Sequence, residues 1–326
     1  MTPIQTTLLE PFSSASWLAL RHTGICNSEI FAALCHTDAF ETPYNLWRRK
    51  TGLDAEEQTV SEAVRNSFYL HEAAAAFFAG NAPYFFLPQY FAINGEIHPR
   101  NVYRDDEYPC NLAAIYHLYF GVSGNTPDLS PRGVLLCRTT QKAVDPDNLP
   151  EPWLMELQWQ MRLSNLEHGV IAWMGAGRQF GWREFDLNEA EADSLRAAVA
   201  DFWQTYVEGR KAPDPTNSDD IQTMYAHAET GKRIEASDEI LAKFRDLKFI
   251  LFQLANLTTQ KTSIEDELKL FMGDAEAITY LGSVLATWKA PKATLRFDAK
   301  AFQRAHPEEA KEYLVEQAAT RRFLVK

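Results

Sequence analysis

The chain has 326 residues, 46% of them hydrophobic, and a formal net charge of −12, enough to bury one large core or two modest ones. The acidic balance argues against tight, sequence-independent binding to a phosphate backbone, which calls for a basic surface, although a local basic groove is compatible with it. No apolar run approaches the roughly 20 residues that cross a bilayer and the N-terminal residues lack a signal-peptide pattern, so a soluble, cytoplasmic protein is the expectation.

Cys26, Cys35, Cys110 and Cys137 are widely spaced, with no Cys-x-x-Cys pair. That spacing predicts buried, reduced thiols and points away from a zinc knuckle, a disulfide framework or an iron–sulfur cluster.

In chain order, residues 14–50 predict two short helices joined by a Gly24 turn, then a third segment from Thr42-Pro43 to Gly52. Ser28 is placed as an N-cap. The Ala-rich stretch from Val60 to Phe78 predicts a helix without a breaker. Strands are expected over Tyr84–Leu87 and Asn101–Tyr103, followed by a charged turn at Arg104–Glu107 and a further strand over Leu112–Leu118. A Gly/Pro/Ser loop over 121–133 leads into a strand at Gly133–Thr140, where alternation puts Leu136 and Arg138 on one face. A helix over Pro152–Met161, a strand pair over 169–174 and 178–185, and a helix over 188–208 complete the expected core.

Residues 1–210 are thus read as a core, 211–220 as a Pro/Asp/Ser linker and 221–326 as a C-terminal extension. In that extension Phe244, Leu247, Ile250/Leu251, Leu254, Leu257, Ile264, Leu268 and Phe271 recur every three to four residues. This is a helical stripe, expected to break near Thr258-Thr259 and to pack on the core or self-associate. Gly273 should close it, before a hairpin of two strands joined at Gly282-Ser283.

Two motifs carry a resemblance. The pattern Trp17, Arg21, Gly24-Ile25, Ser28-Glu29, then Thr42-Pro43, Leu46-Trp47 and Lys50-Thr51-Gly52, together with Leu285 to Lys289, Arg296-Phe297-Asp298 and Arg321 to Lys326, resembles the YqaJ viral recombinase family, phage relatives of lambda exonuclease. The resemblance brackets nearly the whole chain. It implies the α/β PD-(D/E)XK nuclease architecture, a central mixed sheet flanked by helices, and, in the ring-forming relatives, a trimer.

The same resemblance implies four catalytic positions. Here they are His71 in place of a Glu, Tyr116 in place of the central Asp, and Leu136 and Arg138 in place of a Glu and a Lys two residues apart. His117 stands where the family has a Gly, Glu72 is adjacent to His71 but about 100° round the helix, and Glu156 and Gln158 occupy the family's Q-x-Q pair. Magnesium is not held by leucine, tyrosine and arginine. The expectation is therefore a catalytically inactive homologue with no cofactor, with the changed residues filling the volume of lost carboxylates.

Arg21 and Ser28, seven residues apart, match the pair that the resemblance associates with a DNA 5′-phosphate. The expected role is binding, either of DNA ends or, as the acidic charge favours, of a protein partner such as a recombinase or a defence complex. The alternative is an exonuclease whose magnesium or manganese ligands come from Glu72, Asp105, Asp106, Glu107 and Asp128.

Overall fold

In the computed structural model the described residues are 2–11, 13–34, 41–54, 62–93, 96–123, 126–176, 179–292, 294–313 and 321–325. They form two compact units, Met1–Met224 and Tyr225–Lys326.

The first unit begins with strand β1 (Thr6–Leu9), helix α1 (Ser14–Arg21), the two-residue strand β2 (Ile25–Cys26), α2 (Glu29–Leu34) and α3 (Pro43–Lys50). Ser13 and Ser16 close a reciprocal cap on α1, and the Thr42 hydroxyl accepts from the Asn45 N–H at the start of α3, with Pro43 in the first turn. Helix α4 (Glu62–Asn81) follows, then β3 (Tyr84–Pro88), the hairpin β4 (Tyr90–Ile93) and β5 (Glu96–Pro99), and β6 (Asn101–Asp105).

Next come β7 (Asn111–Ile115), β8 (His117–Ser123), β9 (Thr126–Thr139), α5 (Glu151–Ser164), β10 (His168–Gly175), β11 (Gln179–Asp186) and α6 (Glu189–Phe202). Helix α6 runs on as a π-helical segment, Trp203–Glu208, and α7 (Ser218–Met224) ends the unit. Most of the expected loop over 121–133 is therefore strand, because it pairs as the arms of the β8–β9 hairpin; residues 124–125 lie outside the described ones. Within 211–220, Asp220 is buried and accepts from Thr42 and Thr216, so this stretch is tied to the first unit.

Two mixed sheets result, in the orders β1-β6-β7-β2 and β11-β10-β9-β8-β3. In the first only β2 runs parallel to its neighbour; in the second only β9 and β10 are parallel. The chain crosses from one sheet to the other at a single residue, Tyr116, between β7 and β8. Helices flank the five-stranded sheet on both faces, as the resemblance implies.

Alternation along β9 sorts the core. Leu135 and Cys137 pack with Ala74, Ala75 and Phe78 of α4, whereas Val134 and Leu136 pack with Leu157 and Met161 of α5. The approach of β9 to β10 needs Gly133, since a Cβ there would lie 2.2 Å from the His168 carbonyl oxygen.

The second unit contains α8 (Asp238–Met272), the hairpin β12 (Ala277–Tyr280) and β13 (Ser283–Thr287), α9 (Ala299–Ala305) and α10 (Pro307–Lys311). The expected break at Thr258-Thr259 is absent: α8 is one helix of 35 residues. The two threonine hydroxyls donate back to the Leu254 and Ala255 carbonyls, which accommodates them inside a helix. The hairpin turn is Leu281-Gly282, both at positive φ, rather than Gly282-Ser283, the geometry that matches the twist of a two-residue hairpin. Gly273 does end α8, at φ 55.

Candidate functional site

A cleft of about 620 Å³ opens where β7 hands over to β8 and where β9 ends. Arg21, Ser28, His71, Tyr116, His117, Leu136, Arg138 and Glu156 all line it. Residues up to 135 positions apart in sequence, Arg21 and Glu156, thus meet at one place. Two of the predicted residues do not line it directly.

Gln158 is turned away. Its amide donates to the Asp186 carbonyl and accepts from the Asn188 N–H, so it ties the end of β11 to α5. The reason is helical period: residues 156 and 158 are about 200° apart, whereas 156 and 160 are neighbours. Gln160 therefore lines the cleft and donates to Glu156 at 3.1 Å. Glu72 stands behind the wall, where its carboxylate accepts from the Tyr90 hydroxyl at 2.7 Å and lies 2.7 Å from His117 Nε2.

The α5 side of the cleft is closed by an ion pair. Arg138 Nη2 donates to Glu156 Oε2, and Arg138 Nη1 donates to the Cys137 carbonyl at 2.9 Å. Glu156 is buried, and Arg138 keeps 21% of its side chain exposed. Leu136, one step back on the same face of β9, is buried in the apolar cluster with Ile171 and Leu157. The guanidinium thus occupies the space between strand and helix, and the carboxylate is committed to it.

On the α4 side, burial, together with the nearby Arg138 and His117, pushes the His71 imidazole down to about 3, so it is neutral at physiological pH. Phe68 packs edge-on against His71 and tilted against Tyr116. Burial raises the Tyr116 phenol well above its ordinary value. Burial resists the Glu72 charge, and the hydrogen bonds from His117 and Tyr90 overcome it, holding that carboxyl below its usual range.

The N-terminal side holds the strongest electrostatic feature. Glu29 is buried and accepts from Arg21 Nη2 at 2.6 Å, Arg49 Nη1 at 2.9 Å, Lys50 Nζ at 2.8 Å and the Cys26 N–H at 2.9 Å. Burial works to raise its pKa, but Lys50, Arg21 and Arg49 hold the carboxyl far below the usual carboxylate range. The Lys50 side chain is wholly buried and also donates to the Arg21 carbonyl; burial pulls its ammonium below its ordinary value despite Glu29. Arg21 keeps 31% of its side chain exposed, beside Ser28 at the cleft.

Local backbone explains how these groups are presented. Gly24 lets β2 approach β7, because a Cβ would sit 2.2 Å from the Cys110 carbonyl oxygen that accepts from the Ile25 N–H. Asn27 takes a left-handed φ of 52 and pairs through its amide with both backbone groups of Ala114. Sequence reading assigned no role to Asn27, Arg49 or Gln160; for Glu29 and Lys50 the signal was present in the Ser28-Glu29 and Lys50-Thr51-Gly52 motifs.

Divalent metal does not fit this donor set. Glu29 is engaged by three cationic side chains, Glu156 by Arg138 and Glu72 by His117 and Tyr90, whereas magnesium needs several oxygen ligands free to face it. Among the described residues no three histidine, cysteine, aspartate or glutamate side chains gather as a ligand set. The other acidic candidates lie elsewhere. Asp105 is fully buried on β6 with Arg196 at 2.6 Å, Glu107 pairs with the same arginine, Asp106 accepts from the Thr7 hydroxyl, and Asp128 caps Ser130.

Cys26, Cys110 and Cys137 are unpaired and buried, and burial raises all three thiols, Cys26 and Cys110 to about 12; Cys35 lies outside the described residues. No helix among the described residues is long and apolar enough to cross a membrane.

No family model matches the chain. It is 24% identical over 326 residues to a Bacillus subtilis (strain 168) protein described as uncharacterized protein YqaJ, covering 96% of this chain and 94% of that one. Two solved structures of the alkaline exonuclease LHK-Exo are similar to it. The enzyme from Laribacter hongkongensis matches with a TM-score of 0.38 at 15% identity, and its complex with dAMP with a TM-score of 0.42 at 12% identity; each covers 60% of this chain and 94% of the exonuclease.

Proposed function

Because this chain is YqaJ-like, a homologue of that protein over nearly its whole length, we propose that it is a nuclease-related protein that binds a nucleic-acid end without cleaving it. The observation that carries this reading is the Arg138–Glu156 ion pair inside the cleft. It puts a cation and its counter-ion where hydrolysis of a phosphodiester would need carboxylates facing a metal. His71 and Tyr116 present an imidazole and a phenol in place of carboxylates, a donor pair poorly suited to magnesium.

Binding is favoured by the opposite wall. Three cationic side chains surround one carboxylate at Glu29, and the most exposed of them, Arg21, opens onto the same cleft as Ser28. A terminal phosphate offers the oxygens that a guanidinium and a hydroxyl can bind together. The net charge of −12 makes this a local contact and leaves the rest of the surface unsuited to tracking a duplex.

The test is incubation of 5′-phosphorylated linear duplex with magnesium or manganese, beside a binding titration on the same DNA with wild type and Arg21→Ala. No digestion together with Arg21-dependent binding that requires the 5′-phosphate is the expected result. Metal-dependent digestion overturns the silent-site reading. Absence of both digestion and binding moves the function to a protein partner.

A further inference from the structure

A second hollow of the first unit, about 590 Å³, lies between the turn that joins β6 to β7 and the π-helical end of α6. It shares no lining residue with the cleft. Its volume suits one small ligand.

The helical wall owes its geometry to the π segment. In an α-helix residues 203 and 208 would stand about 140° apart. The wider turn, in which the Gly209 N–H donates to the Gln204 carbonyl at 3.1 Å, brings them to one side. The Trp203 indole N–H then donates to Glu208 Oε1 at 3.1 Å, which fixes the ring beside the carboxylate.

The turn wall is fixed by Arg196. This buried arginine pairs with Asp105, donates to Glu107 Oε2 at 3.1 Å and lies 5.4 Å from the Tyr108 ring centroid. The Glu107 and Tyr108 N–H groups both donate to Asp105. Arg104 lines the same hollow in a different state. Among the described residues its side chain makes no hydrogen bond and no ion pair, although Glu107 and Glu208 line the hollow with it.

The free groups select a ligand. Glu107 is already paired with Arg196, which leaves one carboxylate without a cation, one guanidinium without an anion, and an indole. A simple cation would be repelled by Arg104 and a simple anion by Glu208. A planar ring that carries an anionic group and has hydrogen-bond donors on its edge satisfies all three. A nucleotide has that form, with a base to stack on an aromatic side chain and a phosphate for a guanidinium. Guanine sets two adjacent donors, its ring N–H and its exocyclic amine, toward a single carboxylate.

We propose that this hollow is a guanine-nucleotide site, in which Glu208 reads the base edge, Trp203 stacks on the ring and Arg104 holds the phosphate. It is independent of what the cleft binds.

Calorimetric titration of the full chain tests it, using guanosine monophosphate, guanosine, inosine monophosphate, which lacks the exocyclic amine, and a single-stranded pentanucleotide with one central guanine. Wild type is expected to bind guanosine monophosphate on the order of 10-fold more tightly than either guanosine or inosine monophosphate. Arg104→Gln should abolish the first difference and Glu208→Gln the second. Neither change costs the fold a bond, since the Arg104 side chain makes none and a glutamine oxygen can still accept from the Trp203 indole. Tighter binding of the pentanucleotide than of the mononucleotide assigns the site to an unpaired base in a strand, and the reverse to a free nucleotide. Failure of wild type to bind any of these ligands overturns the proposal. So does guanosine monophosphate binding that is lost in Arg21→Ala but kept in Arg104→Gln, which would place the nucleotide in the cleft, or tighter binding of an arginine-containing peptide, which would make Glu208 the receptor of a cationic side chain.

Discussion

Replacing Glu29 by Gln would remove the one buried anion among Arg21, Arg49 and Lys50 while leaving the shape of the side chain intact. The cost falls mainly on Lys50. Arg21 and Arg49 have 31% and 18% of their side chains exposed and can turn toward water, but the Lys50 side chain has none. Removing one partner of a buried pair costs about 3–5 kcal/mol; with the Arg21 carbonyl still accepting from Lys50 Nζ, the lower end, about 3 kcal/mol, is the expectation at pH 7. With a urea slope of about 2–3 kcal/mol per molar, the unfolding midpoint drops by roughly 1–1.5 M.

The pH dependence separates this account from a loss of shape. Wild-type Glu29 has a depressed folded pKa, so its stabilisation is complete above the ordinary carboxylate range and fades as acid protonates it. In Glu29→Gln the burden is a charged Lys50 whose folded pKa is depressed further than in wild type. The folded state then binds fewer protons than the unfolded one, so stability should rise as pH climbs from 7 toward the ordinary lysine value. Adding Lys50→Met should recover most of the loss at pH 7. A loss below 1 kcal/mol, or one that is flat from pH 7 to 10, would refute the reasoning.

Arg138→Met should cost about 3 kcal/mol by leaving buried Glu156 without its cation, and Arg138→Met/Glu156→Leu should regain much of it, so that the double-mutant cycle shows strong coupling; additive single effects would mean the pair is incidental. The His71 imidazole, held down at about 3, should show no protonation in its proton or nitrogen resonances between pH 5 and 8, and a midpoint in that window would contradict its burial. Since the unfolded chain protonates this histidine near 6.5, His71 should also erode stability as pH falls from 6.5 toward 3, a slope that His71→Phe should flatten.

Local chemistry was legible along the chain. The Ala-rich run makes α4 under any packing, Thr42-Pro43 starts α3, Gly273 ends α8, and alternation places Leu136 and Arg138 on one face of β9. That Arg21 and Ser28 line one cleft follows from local geometry too, because both lie within one short helix–strand–helix segment.

Tertiary structure decided the rest, because a side chain's partner is set by what crosses near it. Arg138 meets Glu156 only once α5 lies over the five-stranded sheet. Glu29 gathers Lys50 only when α3 crosses α2. Gln160 rather than Gln158 faces the cleft because the helix presents every fourth residue to it. Asp105, in a stretch that reads as a charged turn, is a buried strand residue because Arg196, 91 positions away, neutralises it. Sequence specifies the period of each element and the residues it carries; which charges cancel depends on the burial that packing imposes, since only in a low-dielectric interior is an unpaired ion costly enough to choose its neighbour.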